Sequence, residues 1–371
     1  MNLKTKYQLS EFINARGTFT PLGVSRSSDY VAHATGEALK HYFDMEELQA
    51  KAGEIIASHC GAEYATITNC ASAAITLCIA ATVTGSDIEK ILTLPDTNGM
   101  ENKVVIAAGH CVNYGHPIEQ DIRLAGCTPV IAGNASRCTT EDLNTALSQS
   151  GITALIYVES RLTSAEQPDL GEYISAAHSR NIPVIVDAAA QDMRMAQLVS
   201  SNCDLLIFSG QKYLAAPTGG IVVGKRALVE AVYAQNKGIG RAMKAGKETI
   251  LGAIAAIEQR NQTDMDEWTN VKKNEAAQFA DRLGNINAIS GNLIKDPTNG
   301  EFWRVNLLLD EAKSKVTTAE LADRLQTGKP AIYCNWANKD RGILNFEVLD
   351  LSEDERQMII TRIEQILESE S

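Results

Sequence analysis

Lys212 is the residue whose surroundings most directly suggest chemistry. It lies in the segment 209–220, directly after an apolar stretch, residues 205–208, that predicts a buried strand. A lysine at the carboxyl end of such a strand faces the crevice where parallel α/β folds bind ligands. Apolar surroundings lower the pKa of a lysine amine, and the neutral amine is a nucleophile that forms a Schiff base with an aldehyde.

A carboxylate precedes this lysine by one strand and one helix. Asp187 ends the apolar run 183–187, so it is predicted to point into the same crevice as Lys212. Pyridoxal phosphate (PLP) needs a carboxylate of this kind, because a protonated ring nitrogen makes the ring an electron sink. The alternative is that Asp187 only caps the next helix, since aspartate is a good N-cap.

Residues 68–74 form a turn of small residues between a β-rich run and an apolar helix. Free N–H groups and the helix dipole at such a turn bind phosphate. Ala71, Ser72 and Ala73 are therefore the predicted phosphate ligands, and Ser209 could add its hydroxyl. By itself this signal is weak, because small residues also begin many buried helices.

An aromatic ring after the next predicted strand could stack on the cofactor. His110 is the predicted stacking residue and Tyr114 is the alternative, because both follow the apolar run 103–108. A lone histidine is more often structural, and only its place in the chain order favours the stacking role for His110.

These residues require a parallel sheet to position them, and the apolar pattern predicts one. Short apolar runs alternate with helix-length stretches between about residues 60 and 235, which is typical of βαβ units. After residue 237 the pattern changes to long helices and short β-like pieces. We predict an N-terminal arm (1–45), a large α/β domain (46–245), and linking helices with a small C-terminal α+β domain (246–371). The predicted strands of the large sheet are 64–68, 103–108, 128–132, 152–159, 183–187 and 205–208.

Composition excludes several classes of function. The chain has 371 residues and a net charge of −12, which argues against nucleic-acid or anionic-membrane binding. Its eight cysteines form no CxxC pair, so neither a disulfide framework nor a zinc site is expected. The N-terminus lacks the apolar core of a signal peptide and no apolar run reaches membrane-spanning length, so we expect a cytoplasmic protein.

The small-residue turn 68–74, here called the phosphate turn, is followed along the chain by the stacking ring, the aspartate and the lysine. This order resembles that of fold-type I PLP enzymes. The string Ser-Gly-Gln-Lys-Tyr-Leu-Ala-Ala-Pro-Thr-Gly-Gly (209–220) closely resembles the Schiff-base loop of the selenocysteine-synthase-like branch, which includes the bacterial seryl-tRNA selenium transferases. Residues 13–18 resemble the start of that branch's catalytic core. Within the branch, the segments similar to the D-glucosaminate-6-phosphate ammonia-lyase group and its uncharacterised relatives are 22–25, 70–73, 110–115 and 240–248.

The resemblance runs over nearly the whole chain and implies a role for each motif. Lys212 would carry the Schiff base and later move the substrate proton, and Asp187 would pair with the ring nitrogen. Gln211 would help orient the loop. Thr218 and Gly219 would reach the cofactor phosphate of a neighbouring subunit, because this fold type places its sites at a dimer interface. We therefore expect a homodimer or a multiple of dimers.

The resemblance also implies the reaction. A PLP-dependent lyase is expected, which acts by α,β-elimination on an anionic hydroxy-amino acid or amino-sugar acid. It would take the α-proton and expel the β-hydroxyl, giving an enamine that hydrolyses to a 2-oxo acid and ammonia. An aminotransferase or racemase would use the same residues, and a non-catalytic protein with this fold is a further alternative. A selenium transferase is disfavoured: the core-like motif begins at Ile13, without the N-terminal region that handles tRNA in those enzymes, and the net charge is negative.

Basic side chains are expected to bind the substrate anion, because a guanidinium matches a carboxylate or a phosphate. Arg241 and Lys244 are the best placed, three residues apart on one predicted helical face soon after the cofactor loop. The other candidate substrate contacts are Arg16, Tyr114 and Arg341.

Overall fold

The computed structural model of the protein describes residues 3–163, 165–296 and 302–368. It divides into two compact units, one formed by residues 27–262 and the other by residues 1–26 together with 263–371. The α-helices are α1 (Leu3–Tyr7), α2 (Asp29–Leu39), α3 (Met45–Cys60), α4 (Ala71–Thr84), α5 (Ile88–Thr93), α6 (Ile118–Leu124), α7 (Thr140–Leu147), α8 (Leu170–His178), α9 (Met195–Val199), α10 (Arg226–Ala234), α11 (Lys247–Gln262), α12 (Met265–Gly284), α13 (Thr318–Thr327) and α14 (Glu353–Glu368). The strands are β1 (Phe12–Asn14), β2 (Tyr64–Thr68), β3 (Lys103–Ala107), β4 (Thr128–Ala132), β5 (Ile152–Val158), β6 (Val184–Asp187), β7 (Leu205–Ser209), β8 (Gly220–Gly224), β9 (Ile289–Lys295), β10 (Trp303–Leu309), β11 (Ala331–Tyr333) and β12 (Ile343–Phe346).

A seven-stranded sheet forms the centre of the unit 27–262, in the order β2-β8-β7-β6-β5-β3-β4. β7, β6, β5, β3 and β4 are parallel to one another, whereas β8 runs antiparallel to both β2 and β7. Every residue of β5 and β6 is buried. Strands covered on both faces become nearly continuous apolar runs, which explains why the sequence predicts them correctly.

Helices cover both faces of this sheet. Side chains of α3, α7, α8 and α11 belong to the apolar core on one face. Side chains of α4, α6 and α10 belong to the core on the other face. This arrangement leaves the carboxyl ends of the parallel strands, and the loops that follow them, as the place where polar groups can gather.

The second unit has its own core around an antiparallel sheet, β12-β10-β9. α12 packs against β9 and β10. β1, near the N-terminus, pairs in parallel with β11, so residues near the start and the end of the chain belong to one compact unit.

Among the elements that the sequence pattern did not predict are α2, β8 and β9. Residues 1–45 were expected to be a turn-rich arm, but they contain α2, which begins after the N-cap Ser28, whose side chain accepts a hydrogen bond from the Val31 amide at 3.3 Å. α2 packs on α11 within the compact unit 27–262, and the domain bounds 1–45, 46–245 and 246–371 stay predictions. β8 and β9 were not predicted, because glycines open or interrupt both segments.

Within the residues that the structure describes, none of the helices combines the length and the apolar character that a membrane span requires.

Candidate active site

The carboxyl ends of β6 and β7 bring Asp187 and the Lys212 loop to the same edge of the sheet. The two strands are parallel neighbours with Asp187 opposite Ile207. The pairing continues beyond the strands, since the Ser209 amide donates to the Ala189 carbonyl at 3.1 Å. Lys212 follows three residues after the end of β7. The sequence prediction that these two side chains lie together is therefore what the topology produces.

The loop that carries Lys212 is fixed by hydrogen bonds within itself. The Gly210 amide donates to the Gly219 carbonyl at 2.8 Å, which brings the two ends of the loop together. The Thr218 hydroxyl donates to Gln211 Oε1 at 2.6 Å, a further contact within the loop, and an orienting role for Gln211 stays a prediction. Thr218 is exposed. The predicted contact of Thr218 and Gly219 with a neighbouring subunit stays a prediction.

Two carboxylates and one guanidinium act on the charge of Lys212. Burial lowers the pKa of its amine, and Arg161 lowers it further, whereas Asp187 and Asp192 favour the protonated form. Burial raises the pKa of Asp187, and the nearby Lys212 and the Ala189 amide, which donates to its Oδ1 at 3.1 Å, oppose this effect. The site thus combines the Lys212 amine, whose pKa is lowered, with the buried Asp187 carboxylate. A protonated pyridine ring beside Asp187 would stabilise that carboxylate.

A buried ion pair supports the loop from α11. Arg260 donates through Nη2 to the carbonyl of Tyr213 at 2.8 Å and lies 3.3 Å from Asp192 Oδ2. The Asp192 side chain is fully buried. The guanidinium therefore holds the backbone immediately after Lys212. This contact was not predicted, because Arg260 lies in a helix whose residue pattern is that of ordinary amphipathic structure.

The turn at the start of α4 has the shape predicted for a phosphate site. Cys70 caps the helix, with Sγ accepting from the Ala73 amide at 3.4 Å, while the amides of Ala71 and Ser72 make no hydrogen bond within the described part of the chain. Gly220 closes the turn from β8: a Cβ atom there would lie 2.3 Å from the Cys70 carbonyl oxygen. Ala71 and Ser72 are half-buried, as an anion site formed by backbone amides requires.

The predicted stacking residue is placed differently from the expectation. His110 is completely buried, its ring lies edge-on to Tyr157 with centroids 4.6 Å apart, and Nδ1 accepts from the Val158 amide at 3.3 Å. Burial lowers the pKa of His110 to about 4. Because the ring has no accessible surface, the structure does not support His110 as the residue that stacks on a cofactor. Tyr114, the alternative, is half-buried, and its hydroxyl donates to Asp121.

Asp121 and the residues around it are the part of the site that sequence reasoning missed. The carboxylate is fully buried and accepts the hydroxyls of Ser72 at 2.9 Å and Thr76 at 3.3 Å in addition to that of Tyr114. An aspartate between the buried residues Ile118 and Ile122 of a short helix was the available signal, since a carboxylate on an apolar helix face needs buried partners.

The candidate substrate residues divide between the two units. Arg241 and Lys244 line one cleft of about 130 Å³ in the larger unit, together with Gln49 and Tyr233. They do not share a helical face as predicted, because the short 3-10 helix Ile239–Met243 ends before Lys244, which is extended. The Thr68–Lys244 bridge places this segment beside the phosphate turn.

Arg16 and Arg341 lie in the second unit. The Arg16 guanidinium stacks on Phe19 at 3.6 Å from the ring centroid and lies 5.2 Å from the ring of Trp336. Arg341 ends an exposed 3-10 helix, Lys339–Arg341. Substrate contact by either residue stays a prediction.

These residues fit PLP on three points of chemistry. The turn at α4 offers free amides to a phosphate, the buried Asp187 gains from a protonated pyridine, and Lys212 offers an amine to an aldehyde. Among the described residues, no three His, Cys, Asp or Glu side chains are grouped as metal ligands.

Comparison with known proteins agrees with this chemistry. A family model described as L-seryl-tRNA selenium transferase matches residues 12–272. A D-glucosaminate-6-phosphate ammonia lyase of Salmonella typhimurium is 32% identical over 99% of this chain and 98% of its own length. A 5'-C-glycyluridine monooxygenase-decarboxylase of a Streptomyces species is also 32% identical, over 96% of this chain and 89% of its own length.

A solved structure of D-glucosaminate-6-phosphate ammonia-lyase superposes with a TM-score of 0.91 at 31% identity, covering 100% of this chain and 99% of that one. The fold-type I architecture, the PLP cofactor and the assignment as a PLP-dependent lyase, all expected from the sequence, are confirmed. With a family model that spans most of its length and relatives aligned from end to end, the chain belongs to the L-seryl-tRNA selenium transferase family of PLP enzymes.

Proposed function

We propose that this lyase expels the β-hydroxyl of an anionic amino-sugar acid or hydroxy-amino acid as water, giving an enamine that takes up water again and hydrolyses to a 2-oxo acid and ammonia. The observation that carries the proposal is that buried Asp187 and the Lys212 loop lie at the same edge of the sheet. The chain is also similar over its whole length to a D-glucosaminate-6-phosphate ammonia lyase. When bound, PLP accepts the electron pair left on the substrate α-carbon.

Lys212 is the residue proposed to move the proton. Its lowered pKa supplies a neutral amine that can take the α-proton, and the resulting ammonium can protonate the departing β-hydroxyl. Asp187 would hold the proton on the ring nitrogen, because a buried carboxylate is most stable beside a cation. Arg260 would keep Lys212 in reach by holding the Tyr213 carbonyl.

The anionic end of the substrate is proposed to bind at the cleft of Arg241 and Lys244. Both side chains are exposed, line the same cleft and lie on the segment that adjoins the phosphate turn. Two cations of this kind match a phosphate or carboxylate and would raise the affinity for a phosphorylated substrate over its unphosphorylated analogue.

The test measures ammonia and 2-oxo acid from D-glucosaminate 6-phosphate and from D-glucosaminate. We expect turnover of the phosphorylated compound, a loss of at least about 1000-fold in kcat for Lys212→Ala, and a KM about tenfold higher for Arg241→Ala with that substrate alone. Lys225→Ala, a lysine that pairs with Asp204, is the matched control and should retain activity. Absence of ammonia with either compound contradicts the proposal, and oxygen uptake with release of carbon dioxide would place the chain with the monooxygenase-decarboxylase instead.

A homodimer in the cytoplasm completes the proposal. The segment 39–45 exposes Leu39, Tyr42, Phe43 and Met45, which a second copy of the chain would cover. The eight cysteines are free thiols, consistent with a reducing compartment. Light scattering should give twice the chain mass, and Tyr42→Asp should shift the equilibrium toward the monomer; a wild-type chain that is monomeric at micromolar concentration would contradict the dimer.

A further inference from the structure

A hydrogen-bond network beside the phosphate turn has no part in the reaction proposed above. Asp121, fully buried in α6, accepts through Oδ1 from Ser72 and Thr76 of α4 and through Oδ2 from the Tyr114 hydroxyl. His116 Nε2 lies 3.1 Å from Ser72 Oγ and 3.7 Å from Asp121 Oδ1.

Counting protons in this network fixes the role of each group. A hydroxyl has one hydrogen, and Ser72 and Tyr114 both give theirs to Asp121. The Ser72 hydroxyl is therefore engaged inside the network, while its backbone amide makes no hydrogen bond within the described part of the chain. Burial and the charge of Asp121 raise the pKa of Tyr114, so the phenol stays a neutral donor. Both oxygens of Asp121 are occupied, which suits a residue that holds others in place.

The position of Tyr114 links the two ends of the cofactor site. Its hydroxyl shares a carboxylate with Ser72 of the phosphate turn, and the charge of Asp187 adds a small rise to the pKa of Tyr114. PLP would extend from the phosphate turn toward Asp187, and the Tyr114 ring is tied to that turn through Asp121. His110, by contrast, has no accessible surface.

We propose that Asp121 is a positioning residue that fixes the Tyr114 ring against PLP, so that Tyr114 and not His110 supplies the aromatic face. The inference rests on the cofactor site and not on the proposed substrate. Removal of the ring should weaken cofactor binding, and release of the hydroxyl should leave a ring that is present but no longer held at one angle.

The test uses the full-length apoprotein titrated with PLP and has two readouts, the Kd and the visible circular dichroism of the bound cofactor. Tyr114→Leu should raise the Kd about tenfold, since ring stacking is lost, and change the dichroism. Tyr114→Phe keeps the ring, so its Kd should stay within about threefold while the dichroism changes. Asp121→Asn should change the dichroism in the same way. Thr76→Val is the matched control, because it removes a hydroxyl from the same carboxylate without touching Tyr114, and it should retain the wild-type spectrum.

Two results would overturn the inference. Wild-type Kd and dichroism in Tyr114→Leu would remove the ring from the cofactor site. A wild-type spectrum in Tyr114→Phe would show that the carboxylate only joins α4 to α6, and this variant gives an answer even where Asp121→Asn fails to fold. Neither readout involves a substrate, so failure of the proposed lyase substrate leaves this test intact, whereas a wild-type chain that binds no PLP ends both.

Discussion

The charge state of one amine decides whether the site can work. Lys212 must be neutral to take up the aldehyde of PLP, and four influences act on it: burial and Arg161 favour the neutral amine, whereas Asp187 and Asp192 favour the ammonium. Asp187 is needed for the ring nitrogen. Asp192 can be replaced to test the effect of a nearby negative charge on the pKa of Lys212. Asp192 also forms an ion pair with Arg260.

Asp192→Asn should make PLP incorporation less dependent on high pH. The substitution removes a negative charge that stabilises the ammonium, so the pKa of Lys212 falls and the neutral amine forms at lower pH. The pH profile of the incorporation rate, followed by absorbance on the apoprotein, should move down by about one pH unit. Asp204→Asn is the matched control, a buried carboxylate paired with Lys225, and should leave the profile in place. A shift toward higher pH would contradict the assigned role.

His110 supplies a second prediction at this scale. Its pKa is lowered to about 4 by burial, whereas an unfolded chain has a value of about 6.5. Between these values the unfolded state binds more protons, so the free energy of unfolding falls as the pH falls through that interval, by about 3 kcal/mol for this one group. The stability it contributes is present above about pH 6.5 and is lost toward pH 4.

His110→Gln should flatten this dependence, because glutamine is uncharged and can still accept from the Val158 amide. Urea midpoints measured at about pH 4 and about pH 7.5, which span that interval, should differ less in this variant than in the wild type. His33→Gln, which changes an exposed histidine, is the control and should behave as the wild type. An unchanged slope in His110→Gln would mean that the ring is not held neutral in the folded state.

Among the elements, the sheet was predictable and the details around it were not. β5 and β6 are buried on both faces, so their residues are almost all apolar, and such continuous apolar runs predict strands from the sequence. β8 begins at the second of the two glycines at 219–220, and a strand that opens and ends on glycine was not predicted. Asp121 escaped notice because its partners Ser72 and Thr76 lie 49 and 45 residues away in sequence, a pairing that only the packing of α6 on α4 creates.

The junction of β8 with α4 gives the prediction that belongs to this scale. A Cβ at Gly220 would lie 2.3 Å from the Cys70 carbonyl and 2.5 Å from Thr68 Oγ1, so Gly220→Ala must push the phosphate turn away from the sheet. We expect the free energy of unfolding to fall by about 1–3 kcal/mol from overpacking and the Kd for PLP to rise roughly tenfold as the amides of Ala71 and Ser72 move.

Gly36→Ala provides the contrast, since nothing lies within 4 Å of the added methyl group in α2. That substitution should stabilise the chain by about 0.5–1 kcal/mol and leave PLP binding unchanged. Denaturant unfolding and the PLP titration together separate the two variants. Normal PLP affinity in Gly220→Ala would show that the turn tolerates displacement and is not where the phosphate binds.

At the scale of the molecule, the cofactor residues Lys212, Asp187 and the phosphate turn all lie in the unit 27–262, spread over 140 residues of sequence between Ser72 and Lys212. A ligand that binds only the folded state raises the free energy of unfolding. The increase grows with the logarithm of the ratio of ligand concentration to Kd. PLP should therefore act as a structural ligand of that unit as well as a cofactor.

The expected result is a PLP-dependent rise in the midpoint of thermal unfolding. With PLP at about 100 times its Kd the folded state gains roughly 2.7 kcal/mol, which in a chain of this size is a rise of a few degrees. Lys212→Ala cannot form the covalent link, so it binds PLP more weakly. At the same PLP concentration its unfolding midpoint should rise by less than about half of the wild-type amount.

Lys225→Ala is the control, a lysine at the opposite edge of the sheet, where Gly224 of β8 pairs with Leu205 of β7. It should lower the starting midpoint by breaking the 2.5 Å contact with Asp204 and still show the full rise with PLP. An equal rise in Lys212→Ala and the wild type would mean that PLP stabilises the chain from somewhere other than the Lys212 site.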